Sequence, residues 1–171
     1  MTESVLNNKR ILAVDDEPDI LDVLKEEVET AAPTCTLDTA SSYDKAVELL
    51  TSWTYDLVIL DIMGVRGFDL LQLAVKRPYP IPVVMLTAHA LSPDALKKSI
   101  ELGARAYLPK DRLGALVPFL EDVLTYEYGA VWRRAIKQVE GLFSKSLGPY
   151  WRKPDEAFWK EFEDKIASEK K

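Results

Sequence analysis

Leu57, Val58, Ile59 and Leu60 form an unbroken aliphatic run that stops on a carboxylate, Asp61. Such a run, with no polar alternation, reads as a strand buried on both faces, as in a parallel sheet covered by helices. In open α/β sheets the groups that do chemistry sit just beyond the carboxyl ends of the strands. Asp61 is therefore delivered to a crevice. A lone Asp after a strand more often only caps a turn, so its weight comes from what the other strand ends carry.

Taken in order, the first apolar run is Arg10 to Val14, and it closes on Asp15, Asp16 and Glu17 before Pro18. Pro near a helix start is tolerated because its missing N–H would be unpaired there anyway. Ile20, Val23, Leu24, Val28 and Ala31 follow at helical spacing, and Pro33 ends that helix. Thr34 to Ala40 alternates with polar residues, as an edge strand does. Ser41 or Ser42 caps a second helix with Tyr43, Ala46, Val47 and Leu50 inward. After the Asp61 strand come a short loop with two glycines and a third helix over Phe68–Val75. Ile81 to Leu86 is the fourth run, closing on Thr87 and Ala88. Ser92 and Pro93 open a fourth helix that Gly103 stops. Ala104 to Leu108 is the fifth run, ending at Pro109 and Lys110. A helix from about Leu113 to Tyr126 then carries Pro118, which should kink or delay it. Five strands alternating with helices predict a doubly wound α/β fold with a parallel sheet.

Charge and composition remove several function classes. Residues 1–125 hold 12 Lys+Arg against 20 Asp+Glu, while 126–171 hold 10 against 8. An acidic first part argues against binding a phosphate backbone there. No apolar run approaches the ~20 residues that cross a bilayer, and the polar start resembles no signal peptide. The expectation is a cytoplasmic protein with no membrane association. Cys35 is the single cysteine and His89 the single histidine, which leaves no intrachain disulfide and disfavours a His-based metal site.

If the sheet is parallel, Asp15, Asp16, Asp61, Thr87 and Lys110 all reach one edge. Three neighbouring carboxylates repel, and each raises the others' pKa unless a cation sits among them. Mg²⁺, a hard ion taking oxygen ligands and keeping several waters, suits such a group. Lys110 adds a point charge for an anion and Thr87 a hydroxyl. Together they describe a phosphoryl-transfer site with a carboxylate nucleophile. Taken singly, each residue has an ordinary structural reading: helix-capping acids, a strand-end Thr, a half-buried Tyr107, a solvated lysine.

Val14–Glu17, Leu57–Asp61, Val84–Ala88 and Gly103–Lys110, in that order over about residues 9 to 126, resemble the receiver domain of bacterial two-component response regulators. The resemblance implies a flavodoxin-like strand order 2-1-3-4-5, with a receiver over 1–126 and an extension over 127–171. It implies Asp61 as phosphoacceptor, with Mg²⁺ held by Asp16, Asp61 and the backbone carbonyl of Met63, and Asp15 acting mostly through water. Lys110 would pair with phosphoryl oxygens, and the backbone N–H of Ala88 would face them. Thr87 would swing inward, with Tyr107 following as a switch. A histidine kinase or phosphotransfer protein would be the donor. Two departures stand out. The loop from Asp61 to Gly67 is about two residues shorter than is common in the family and lacks its usual Pro. Asp111 replaces the Pro that usually follows the lysine, so a trans bond is expected there.

The remaining chain is not receiver sequence. Val131, Trp132, Ala135, Ile136, Val139, Leu142 and Phe143 form an amphipathic face, with Gly129 a potential break before it. Gly148 and Pro149 make a turn, and Asp155 could cap a helix carrying Phe158, Trp159, Phe162 and Ile166. These helices could pack on the receiver, or serve a homodimer or other partner through their aromatics. Their balanced charge gives DNA binding little support. A rival function is a Mg²⁺-dependent phosphohydrolase with Asp61 as covalent nucleophile, but it would want a general acid at position 63, which is Met. A nucleotide-binding module would want a Gly-rich loop after the first strand, and none is there.

Overall fold

In the computed structural model, which describes residues 3–88 and 92–168, β1 (Arg10–Val14) and β3 (Leu57–Asp61) run side by side. With β2 (Thr36–Ala40), β4 (Val83–Thr87) and β5 (Ala106–Pro109) they make one parallel sheet in the order β2-β1-β3-β4-β5. His89 lies outside the described residues. Every residue of β3 and β4 is buried, whereas β2, at an edge, exposes Thr36 and half-buries Asp38 and Thr39. The unbroken and the alternating apolar patterns thus mark central and edge strands, as expected.

The crossovers are α1 (Pro18–Ala31), α2 (Tyr43–Ser52), α3 (Gly67–Val75) and α4 (Pro93–Glu101), with α5 (Leu116–Thr125) after the last strand. Helices α1 and α5 pack together, as do α2 and α3, covering the two faces of the sheet. Ser42 and Ser92 cap α2 and α4 by accepting from the N–H groups of Lys45 and Ala95. Gly103, at φ +98°, lets the chain leave α4. Pro118 falls in the first turn of α5, where its missing N–H removes no helical bond. The helix is delayed to Leu116 behind a 3₁₀ turn over Lys110–Ala115 rather than kinked. One expected face needs correction. The buried stripe of α1 is Leu21, Leu24 and Val28, with Ile20 half-buried and Val23 and Ala31 exposed. Leu21 takes the place of Val23 because the Leu21, Leu24 and Val28 face is the one that packs on the sheet and α5, which leaves Val23 toward solvent.

The C-terminal residues form α6 (Tyr128–Leu147) and α7 (Glu156–Ala167). The break from α5 is at Tyr126 and Glu127, both extended, and Gly129 is buried inside the first turn of α6. Helix α6 lies against β5, and α7 packs on α6. Trp132 is fully buried in this seam, between Tyr128 and Phe162 at centroid distances of 6.4 and 6.0 Å. Phe143, Trp151 and Trp159 make a second ring cluster toward the hairpin tip. Asp155 occupies the N-cap position of α7 but does not cap it. Its carboxylate instead takes Lys97 of α4 at 2.9 Å. The hairpin therefore covers the outer side of β5, an edge that would otherwise invite pairing with another chain.

Candidate functional site

Register decides which side chains meet. Val14 pairs with Leu60, Asp61 with Leu86 and Thr87 with Pro109. Asp15, Asp61, Thr87 and Lys110 consequently emerge at the same sheet edge. Asp15, Asp16 and Asp61 each offer a carboxylate oxygen within 4.8 Å of the other two, a grouping able to hold a metal ion. Asp15 and Asp61 are buried and Asp16 is exposed. A cavity of about 150 Å³ joins Asp16, Asp61, Thr87 and Lys110 to Met63 and Ala88 on its rim.

The short loop after β3 shapes this cavity through two glycines. Gly64, at φ +86°, lies so close to Asp16 that an added Cβ would sit 2.3 Å from Oδ2. A Cβ on Gly67 would meet the backbone oxygen of Asp61 at 2.1 Å. Glycine is needed at both positions, for the left-handed turn and for close backbone approach. Arg66 is also left-handed, at φ 56°, and its guanidinium is held by Asp69 at 2.9 Å and over the ring of Tyr43. The Met63 side chain is exposed, which leaves no acid at that rim position.

Lys110 Nζ lies 2.7 Å from Asp15 Oδ2, 2.8 Å from Glu17 Oε1 and 3.4 Å from Asp61 Oδ1. Burial works against this ammonium, but Asp15, Glu17 and Asp61 outweigh it and raise its pKa. Burial, and then the negative charge of Asp15, push the Asp61 carboxyl up to about 6; Lys110 only partly offsets them. Asp15 Oδ1 also accepts from the Glu17 N–H at 2.9 Å, which fixes the turn between β1 and α1.

Thr87 Oγ1 is buried and makes no hydrogen bond of good geometry, with the Tyr107 phenol as the polar neighbour behind it, which leaves it able to turn to an oxygen arriving in the cavity. Tyr107 is wholly buried on β5. Burial pushes its phenol up to about 12, with the Ser92 backbone and the nearby Thr87 hydroxyl pulling the other way. Ala88, beside the cavity, is exposed. No described peptide bond is cis, so Lys110 precedes Asp111 in trans. All the residues singled out in the sequence thus collect at or directly behind one cleft. Glu17 was not among them, although it directly follows the two aspartates; nor was the role of Gly64.

The chemistry of this donor set fits a hard divalent ion. Three clustered carboxylates with one left in solvent supply oxygen ligands, and Gly64 keeps a side chain out of the space beside Asp16.

Known proteins agree with this geometry. The sequence model of the response regulator receiver domain matches residues 11–117. The transcriptional regulatory protein CpxR of Escherichia coli K12 is 34% identical over 128 residues, covering 74% of this chain and 50% of that protein. The heme response regulator HssR of Staphylococcus haemolyticus is 34% identical over 127 residues, covering 73% and 52%. The chain spans about half the length of these relatives. A CheY-like receiver domain protein from Methanospirillum hungatei superposes with a TM-score of 0.57 at 27% identity, over 67% of this chain and 94% of that one. A Thermotoga maritima response regulator superposes at 0.61 and 21% identity, over 69% and 98%, and supports the fold. Sequence, sheet order and strand-end chemistry converge: this chain belongs to the response regulator receiver domain family.

Proposed function

We propose that the chain is a phosphoryl-accepting response regulator, with Asp61 as the acceptor. The observation that carries this is the meeting of Asp15, Asp16 and Asp61 within 4.8 Å, beside a lysine and a buried threonine hydroxyl that makes no hydrogen bond of good geometry. An Asp61 carboxylate oxygen would attack the phosphorus of a donor phosphohistidine. The P–N bond breaks and the imidazole leaves, taking a proton. Asp16, Asp61 and the Met63 carbonyl would hold Mg²⁺, with Asp15 acting through water; bound there, the ion would neutralise charge on the phosphoryl oxygens. Lys110, the Ala88 N–H and the Thr87 hydroxyl would take those oxygens, and Tyr107 would follow Thr87 as the switch. The donor is a histidine kinase or phosphotransfer protein, and the setting is the cytoplasm; no helix among the described residues is long and apolar enough to cross a membrane.

In this reading residues 1–126 are the receiver and 127–171 its extension, and the output is protein contact rather than DNA binding. Support comes from the extension's balanced charge; its aromatic face is already buried against β5 and within the α6–α7 hairpin. Leu147 and Tyr150, exposed at the hairpin tip, offer a surface for a partner or a second copy. Transcriptional relatives make a DNA-linked output the rival; steeply salt-dependent binding to duplex DNA would favour it. The site turns over no separate substrate in this reading. Multiple turnover on phosphate esters would instead favour a phosphohydrolase.

Incubation with acetyl phosphate and Mg²⁺ tests the reading. The intact mass of the wild type should rise by one phosphoryl group, and Asp61→Asn should stay unlabelled. Equal labelling of both would refute the assignment.

A further inference from the structure

Glu17 stands at the N-cap of α1, where a side chain usually accepts from the helix's free N–H groups. It makes no such bond. Its carboxylate reaches Lys110 Nζ at 2.8 Å, across the mouth of the cleft. Its backbone is held in turn by Asp15 Oδ1. Lys110, which is 8% exposed, therefore rests against Asp15 and Glu17, while its contact with Asp61 is the longest of the three, at 3.4 Å. An ammonium has three donors. Three donors could serve all three acids, but to come closer to Asp61 than its present 3.4 Å the ammonium must lengthen its contact with one of the two nearer acids. Asp15 is wholly buried, whereas the Glu17 side chain is 52% exposed and can be solvated when released. Glu17 is the contact that yields.

We propose that Glu17 is a positioning residue that holds the Lys110 ammonium in a resting place away from Asp61, and so sets how readily the site takes a phosphoryl anion. The inference rests on Asp61 being the phosphoacceptor. A half-exposed pair of this kind contributes little, about 0.2–1 kcal/mol, which is roughly a one-and-a-half- to fivefold effect. Its influence is thus a tuning one.

The test follows phosphorylation of the full chain by acetyl phosphate at saturating Mg²⁺. Glu17→Gln should lower the half-saturating acetyl phosphate concentration roughly one-and-a-half- to fivefold and leave the maximal rate unchanged. Asp19→Asn is the control, since Asp19 is exposed in the same first turn of α1 and removes the same charge. It should behave like wild type. A Glu17→Gln protein with wild-type half-saturation overturns the proposal. So does an Asp19→Asn protein that matches Glu17→Gln, because the net field would then be the cause. Equal changes in half-saturation and maximal rate would also overturn it, as would be expected of a merely structural Glu17. Labelling of Asp61→Asn at the wild-type rate would instead remove the phosphoacceptor reading underneath.

Discussion

The indole Nε1 of Trp132 donates to the main-chain carbonyl of Ala104 at 3.2 Å, in a buried seam between α6 and the start of β5. This bond helps tie the C-terminal hairpin to the edge of the receiver sheet, beside the Lys97–Asp155 and Arg134–Asp122 ion pairs to α4 and α5. Trp132→Phe keeps most of the ring packing but leaves a buried carbonyl unpaired, and should cost about 1–2 kcal/mol. Trp132→Ala also empties the space between Tyr128 and Phe162, and should cost about 3–5 kcal/mol. Urea denaturation followed by far-ultraviolet circular dichroism measures both; equal, negligible losses would show the hairpin to be loosely attached.

The two loop glycines should fail in different ways. Gly64→Ala drives a Cβ into the Asp16 carboxylate at a left-handed φ, so divalent-ion affinity should fall at least tenfold, on the order of 1.4 kcal/mol. Gly67→Ala instead meets the rigid Asp61 carbonyl and should destabilise the fold by about 1–3 kcal/mol. Gly141, in the middle of α6, makes the contrast, because a Cβ there would meet only open space. Gly141→Ala should stabilise by about 0.5–1 kcal/mol. Isothermal titration with Mg²⁺ and thermal melts separate the three.

The raised Asp61 pKa fixes a pH dependence in metal-free protein. The folded value of about 6 exceeds the ordinary 3.8, mainly through burial and Asp15, so the folded state binds the proton more tightly than the unfolded chain. The stability this contributes is fully present below the unfolded pKa and is lost as pH rises through about 6. At neutral pH, Asp61→Asn should therefore be more stable than wild type by about 1–3 kcal/mol. The gap should close below about pH 4. Denaturant melts in chelator at the two pH values check the sign.

Magnesium should reverse that penalty. An ion that binds only the folded state stabilises it by mass action, by about 2.7 kcal/mol at a hundred times its dissociation constant. The wild-type melting temperature should rise with added Mg²⁺ and fall again on chelation. Asp16→Asn and Asp61→Asn should lose most of the rise, because each removes an oxygen ligand from the cluster.

Much of this was legible in the sequence because the signals were strong and local. The unbroken run at Leu57–Leu60 gave a central strand, and the ordered strand-end groups gave the cleft. What escaped were contacts set by tertiary geometry. Glu17 reads as one more acid near a helix start until the register carries Lys110 across to it. Asp155 has the composition of a cap, yet an ammonium on α4 competes successfully for its carboxylate. The break before α6 falls at Tyr126 and Glu127 because the backbone is extended there, which no Gly or Pro announces; Gly129 fits inside the helix. The presence of an apolar stripe on α1 was clear, but its phase and its end were not: Ile20, Leu21, Val23 and Leu24 allow two faces, packing against the sheet chooses one, and Ala31 falls outside it.

The sharpest measurement is to locate the phosphoryl group itself. After reaction with acetyl phosphate and Mg²⁺, borohydride would convert a phosphorylated aspartate to homoserine, and peptide mass mapping would name the residue. Phosphorylation at Asp61 predicts homoserine at position 61 in the wild type. Homoserine at position 15 or 16 with Asp61 unmodified would contradict it, as would no conversion under conditions where the protein is folded and Mg²⁺ is bound.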